Sequence, residues 1–267
     1  MRAPYPVLEP GARLELVPGS SALAVMAKTP HAGAVKTRLV PPLDAEEAAR
    51  LNACFLQDVT DCIGTLTSQS VHGYVAYTPA GQESALDGLL PDGFRLLPQR
   101  GAHLGERLLH ATEDFLAAGY EAVCLINSDS PTLPGSLLRQ AIDALSLTGD
   151  RVVLGKAIDG GYYLIGLKKT HHRLFQDISW GSAAVFEQTR ERASQLRLDI
   201  QVLPAWYDVD DPESLRRLRD ELFLGDGGHN PGNLAAYHAP HTRKFLRSLI
   251  EQRGLSLGLG PPPVGAP

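Results

Sequence analysis

Residues 21–43 read SALAVMAKTPHAGAVKTRLVPPL, and this stretch decides the architecture. Ser21–Lys28 is a short apolar run bounded by polar residues, the pattern of a buried strand. It runs into a loop that contains Gly33, carries two cations, Lys36 and Arg38, and closes at Pro41-Pro42. No Walker frame fits, because Val35 rather than Gly precedes the lysine, and no G-x-G-x-x-G follows the strand. A flexible turn with two cations at the carboxyl end of a first strand suits a diphosphate or triphosphate. Backbone N–H groups can surround phosphate oxygens there, and Arg engages them through two parallel bonds.

The alternation continues outward. Asp44 is placed to cap a helix whose Leu51, Phe55, Val59, Cys62 and Leu66 fall on one stripe. Val71–Thr78 and Phe94–Pro98 read as strands, and Leu104, Leu108, Ala111 and Phe115 mark a second amphipathic helix. Glu121–Asn127 is a strongly apolar strand, followed by a helix near Pro134–Leu145. Arg151–Lys156 and Tyr162–Leu167 are two more strands, and Ile200–Leu203 another. Helices are expected at about Ala183–Leu196, Pro212–Leu222 and His241–Gln252. Strands separated by single helices imply an α/β fold with a mostly parallel sheet flanked by helices. In such sheets ligands bind outside the carboxyl ends of the strands, so polar clusters directly after strands carry the functional information. Residues 1–20, with four prolines, read as a loosely ordered arm, and residues 21–224 as one domain. Residues 225–253 read as a helical extension and the Gly- and Pro-rich 254–267 as a disordered tail.

Composition narrows the function. A chain of 267 residues, 43% hydrophobic, can build its core without a disulfide or metal staple. The net charge of -5, from 30 acids against 25 bases, argues against a nucleic-acid partner. No apolar run approaches the roughly 18–20 residues of a membrane span, and the N-terminus lacks the apolar block of a secretory signal. Cys54, Cys62 and Cys124 show no C-x-x-C pairing and read as reduced core thiols of a cytoplasmic protein. His171, His172, His229, His238 and His241 lack the helical i, i+4 spacing of a zinc pair.

Three further clusters can carry chemistry. Asp129 leaves the most apolar strand of the chain, where an acid can hold a hard cation beside phosphates or simply cap the next helix. Asp159-Gly160-Gly161 lets the backbone approach a ligand closely, or forms a hairpin turn. Asp208 and Asp210 alternate at strand spacing ahead of the helix start Asp211-Pro212, so they share one face. One of them can supply a second metal carboxylate opposite Asp129.

These blocks together resemble a known family. MAKTPHAGAVKTRLVPPL (26–43), HLGERL (103–108), NSDSPTLP (127–134), DGGYYLIGL (159–167), ISWGSAAVFEQT (178–189) and YDVDDPESL (207–215) occur in this order. They are similar to the small bacterial GT-A-like glycosyltransferases often encoded beside radical-SAM and arsenosugar genes. More distantly they resemble 2-phospholactate and molybdenum-cofactor guanylyltransferases. The resemblance implies a nucleotide-diphospho-sugar transferase fold and a divalent cation, Mg²⁺ or Mn²⁺, at Asp129, with Asp210 as second acid. It implies nucleotide phosphates near Ala27, Lys28, Gly33, Lys36 and Arg38. It places Asp159, Gly160 and Gly161 on the sugar or acceptor side, with Asp159 the candidate to orient or deprotonate the acceptor. Glu106 and Arg107 would help close that pocket, and Trp180 could stack on a sugar or fill core. The chain departs from the pattern where Asn127 stands for the first acid of Asp-x-Asp and where His103 replaces an acid.

The leading expectation is therefore a metal-assisted glycosyltransferase using a nucleotide-sugar and a small-molecule acceptor. A nucleotidyltransferase joining an NTP to a phosphorylated small molecule, and a non-catalytic nucleotide-binding protein, are the alternatives.

Overall fold

The computed structural model describes residues 4–224 and 234–253. The expected tail at 254–267, the stretch 225–233 and His229 lie outside the described residues. Seven strands form one sheet in the order β3-β2-β1-β4-β6-β5-β7. They are β1 (Ser21–Lys28), β2 (Val71–Thr78), β3 (Arg95–Pro98), β4 (Ala122–Asn127), β5 (Arg151–Ala157), β6 (Tyr162–Leu167) and β7 (Asp199–Trp206). The helices are α1 (Ala45–Gly64), α2 (Leu104–Ala118), α3 (Gly135–Ser146), α4 (Val185–Gln195), α5 (Pro212–Phe223) and α6 (Pro240–Arg253). Among the described residues no helix is long and apolar enough to cross a membrane.

The sheet is covered on both faces, which is why its strands read as continuous apolar runs. In β1, Leu23, Val25 and Ala27 join a core with Phe55 of α1, Leu137 of α3 and Leu218 of α5. Ala22 and Ala24 point the other way, into a core with Phe115 of α2 and Phe186 of α4. Every neighbouring pair is parallel except those made by β6, which runs against both β4 and β5. The Asp159-Gly160-Gly161 segment is thus a hairpin connection, the second of the two readings its sequence allowed.

The local signals explain the element ends. Asp44 and Glu47 form a reciprocal capping box at α1, with Glu47 N–H donating to Asp44 Oδ1 at 2.8 Å. Asp211 caps α5 with Pro212 in its first turn. β7, an edge strand, extends beyond Ile200–Leu203 at both ends: the exposed Asp199 precedes the apolar run, and Pro204-Ala205-Trp206 carries the strand on through a proline. Pro204 is tolerated there because the strand lies at the sheet edge. α4 begins at Val185 rather than Ala183, after a turn at Ser182–Ala184.

The N-terminal arm is not loose over its described part. Leu8 N–H donates to Leu96 O at 2.8 Å, and Leu96 N–H to Pro6 O at 2.9 Å. The arm thereby satisfies the open edge of β3 and buries Leu8. The three thiols are unpaired, and burial pushes each of them up to about 12, so they stay protonated.

α6 depends on a cap from another helix. The carboxylate of Asp58 in α1, fully buried, accepts from His241 N–H at 2.9 Å and Thr242 N–H at 2.8 Å. Asp58→Ala strands both donors, so it should destabilise the protein by about 2–3 kcal/mol in denaturant melts. Unchanged stability would show that α6 is held by its apolar face alone.

Candidate active site

β1 is flanked by β2 on one side and β4 on the other, and the chain crosses from the first half-sheet to the second between them. That is the switch point at which α/β sheets leave a crevice. The loops leaving β1 and β4 line it. After β1 the chain turns through Gly33, at φ 76, and reaches Lys36 in the left-handed region at φ 49. Val35 and Leu39 are buried on either side and anchor the turn.

Lys36 is aimed inward, with its side chain 4% exposed. Its ammonium lies 2.5 Å from Asp129 Oδ1, 2.8 Å from Asp210 Oδ1 and 2.9 Å from Val209 O. The Phe55 ring lies beneath it, 5.3 Å away. Burial alone would lower the pKa of Lys36, but the two carboxylates hold it above the usual lysine value. Asp129 and Asp210, distant in sequence, therefore meet at one point, and Val209 N–H also donates to Asp129 O at 2.9 Å.

Two clefts adjoin this point and share Asp210. The first, about 280 Å³, is lined by Ala27, Lys28, Lys36, Gln99, Arg107 and Asp129 among others. The second, about 290 Å³, is lined by Arg38, Asp159, Asp208, Asp210, Glu213 and Arg217 among others. Arg38, 72% exposed, approaches Asp211 at 3.8 Å, so it faces the second cleft, away from Lys36. Asp159 stands at that cleft with its Oδ1 accepting from Gly161 N–H at 2.8 Å.

Other expected site residues sit elsewhere. Glu106 and Trp180 line a third cleft, of about 530 Å³, on the other side of the α2 start from Arg107. Glu106 accepts from Ala102 N–H at 2.8 Å, which holds its carboxyl below the usual range. His103 caps α2, its Nδ1 accepting from Glu106 N–H at 3.3 Å. Trp180 lies in a turn over Gly105, where a Cβ would come within 2.5 Å of the indole nitrogen. Gly160, at φ 95, packs on Ala183, whose carbonyl would lie 2.2 Å from an added Cβ. Its absent side chain thus serves the contact between the hairpin and the α4 start.

Two polar residues carry no clear signal in the sequence. Gln99 follows β3 and donates to Ala76 O at 2.6 Å, tying the strand ends at the first cleft. The rule for polar residues after strands could have found it. Asn52, buried, also lines that cleft, and it flanks the apolar stripe of α1 where a polar residue is unexpected. Ser128, inside the NSDSPTLP block, donates to Asp129 Oδ1 at 3.2 Å.

Hard oxygen donors converge where Lys36 sits, two carboxylates and a backbone carbonyl, and that donor set suits Mg²⁺ or Mn²⁺. Asp129 and Asp210 are the residues that could hold such an ion. Among the described residues no group of three or more His, Cys, Asp or Glu side chains is arranged for one. His171, His172 and His241 instead pair with Asp150, Glu113 and Asp61.

Asp208 stands out electrostatically. Burial, then the charges of Asp159 and Asp210, raise its carboxyl to about 7 from 3.8. Between those values the folded state binds more protons than the unfolded one, so stability falls as pH rises from about 4 to about 7. In chelator-treated buffer, Asp208→Asn should be more stable than the parent at about pH 8 and lose that advantage near pH 4. Equal stability of the two at the higher pH would contradict this.

The family described as "Uncharacterized protein conserved in bacteria (DUF2064)" matches residues 63–182. Among solved structures, a candidate nucleotide-diphospho-sugar transferase from Desulfovibrio desulfuricans G20 superposes with a TM-score of 0.73 at 30% identity. It covers 86% of this chain and 95% of its own. CMP:2-keto-3-deoxy-manno-octonic acid synthetase in complex with CTP aligns at TM-score 0.48 and 13% identity, over 77% and 99% of the two chains. Glucosyl-3-phosphoglycerate synthase from Mycobacterium tuberculosis, solved with Mn²⁺ and UDP, aligns at 0.45 and 15%, over 88% and 80%. These last two are too distant to bear on activity. No protein of curated function matches the chain in sequence. At that identity and coverage the chain belongs to the family of the Desulfovibrio protein, a GT-A-like family with the nucleotide-diphospho-sugar transferase fold.

Proposed function

We propose that the protein transfers a sugar from a nucleotide diphosphate donor to a small hydroxyl-bearing acceptor in the cytoplasm. The observation that carries this reading is the first cleft, at the β1–β4 switch point, where Lys28, Lys36 and Arg107 surround a space suited to a diphosphate. The second cleft, reached across Asp210, is the acceptor side. It holds five carboxylates, Asp159, Asp208, Asp210, Asp211 and Glu213, against the guanidiniums of Arg38 and Arg217. That balance disfavours a phosphorylated acceptor and so favours sugar transfer over nucleotidyl transfer.

The acceptor oxygen would attack the anomeric carbon while the bond to the donor's β-phosphate breaks and nucleoside diphosphate leaves. Asp159, exposed and held through one oxygen by Gly161, would take the acceptor's proton on the other. Lys36 and Arg107 would meet the charge developing on the diphosphate. A divalent cation at Asp129 and Asp210 would supply further charge to that leaving group. Glu106 and Trp180, in the third cleft, would not touch the donor directly.

A thermal-shift panel of UDP-, GDP- and dTDP-sugars against free NTPs, with and without Mn²⁺, tests the reading. A nucleotide-sugar at a hundredfold excess over its Kd should add about 2.7 kcal/mol, and turnover should release nucleoside diphosphate. Stabilisation by an NTP alone, with pyrophosphate as product, would overturn it. Arg107→Ala should weaken nucleotide binding by about 1.5–3 kcal/mol, roughly tenfold or more. Asp129→Asn should remove the metal dependence.

A further inference from the structure

We propose that the Lys36 ammonium and a divalent cation are alternative occupants of one position, so that cation entry drives the ammonium towards the nucleotide cleft. The cation half stands on the geometry of Lys36, and the destination of the ammonium rests on the reading of the first cleft as the nucleotide site.

Three acceptors surround the ammonium, at 2.5, 2.8 and 2.9 Å, one for each of its protons. Two of them are the carboxylates that could hold a metal. Mg²⁺ binds oxygen at about 2.0–2.1 Å, so an ion between Asp129 and Asp210 would have to stand close to where the nitrogen now stands. Two cations at that separation repel strongly in a partly desolvated site, so both cannot occupy it.

The lysine has somewhere to go. It already lines the first cleft, together with Thr37 and Arg107. Residues 31–34, 37 and 38 around it are exposed, while Val35 and Leu39 fix the turn. Rotation of the side chain gives up its contact with the ring of the core residue Phe55 and leaves the anchors Val35 and Leu39 in place. The exchange also balances charge. A dication neutralises both carboxylates, and the released ammonium becomes available to an anionic ligand in the cleft. Cation binding and phosphate recognition are in this way two ends of one side-chain movement.

Mn²⁺ titration by calorimetry, on the full chain without nucleotide or acceptor, tests the exchange. Lys36→Met should bind Mn²⁺ roughly tenfold or more tightly than the parent, because no resident charge must first be displaced. The double variant Lys36→Met with Asp129→Asn should lose that gain. Circular dichroism and melting temperature establish that the variants are folded, and Lys36→Gln carries the same comparison if the methionine variant is not. Equal or weaker Mn²⁺ binding by the lysine variants would overturn the proposal, as would tight binding that survives Asp129→Asn. Because no nucleotide is present, neither result depends on the sugar-transfer reading; failure of that reading in the nucleotide panel leaves the exchange standing and removes only the destination assigned to the ammonium.

Discussion

One buried ammonium joins three segments of the chain that are far apart in sequence. Lys36, from the loop after β1, holds Asp129 at the tip of β4 and both Val209 and Asp210 between β7 and α5. Without that charge, two carboxylates would face each other across a partly desolvated gap, and like charges in such a setting repel strongly. The shape of both clefts depends on this contact, since Asp210 is their common wall. A buried ion pair is weak as a source of net stability, but removing one partner is severe. The interaction is therefore better understood as fixing geometry than as strengthening the fold.

The sheet explains why so many acids gather there. All strands but β6 point their carboxyl ends to the same edge. β4 delivers Asp129 to that edge, and β7 delivers Asp208 and Asp210. The hairpin between β5 and β6 brings Asp159 to the same place, because a reversed strand begins where its parallel neighbours end. Burial first, and then the charges of the neighbouring acids, raise the carboxyl of Asp208 to about 7. Residues on α2 divide by helix geometry: Arg107 faces the cleft at the switch point, while Glu106, one residue earlier, faces away from it.

Much of this arrangement was legible in the sequence, for definable reasons. The run Ser21–Lys28 and the apolar Glu121–Asn127 announce buried strands, and the polar residues just after them fall in the loops that line the first cleft. Asp44 and Asp211-Pro212 carry their cap signals locally, and both cap their helices as the sequence implies. What was not legible depended on contacts distant in sequence. The docking of the proline-rich arm requires the open edge of β3, which no local pattern reveals. Asp-Gly-Gly is compatible with both a ligand-facing loop and a hairpin; only the pairing of β6 with β4 and β5 reveals the hairpin, and its Asp159 lines the second cleft as well. Lys36 read as a phosphate ligand because its loop position suggests one; that two acids from other strands claim its charge emerges only in three dimensions. The full extent of β7 is hidden because Pro204 reads as a strand end, and only a place at the sheet edge lets the strand continue through it.

Sugar transfer as proposed requires a donor diphosphate over the β1 loop at the switch point between β1 and β4. Crystals grown with UDP, GDP or dTDP and Mn²⁺ test it most directly. The expected result is a diphosphate within hydrogen-bonding distance of Lys36 and Arg107, with the cation between Asp129 and Asp210. A nucleotide bound instead in the cleft of Glu106 and Trp180, with Lys36 still on its two carboxylates, would contradict it.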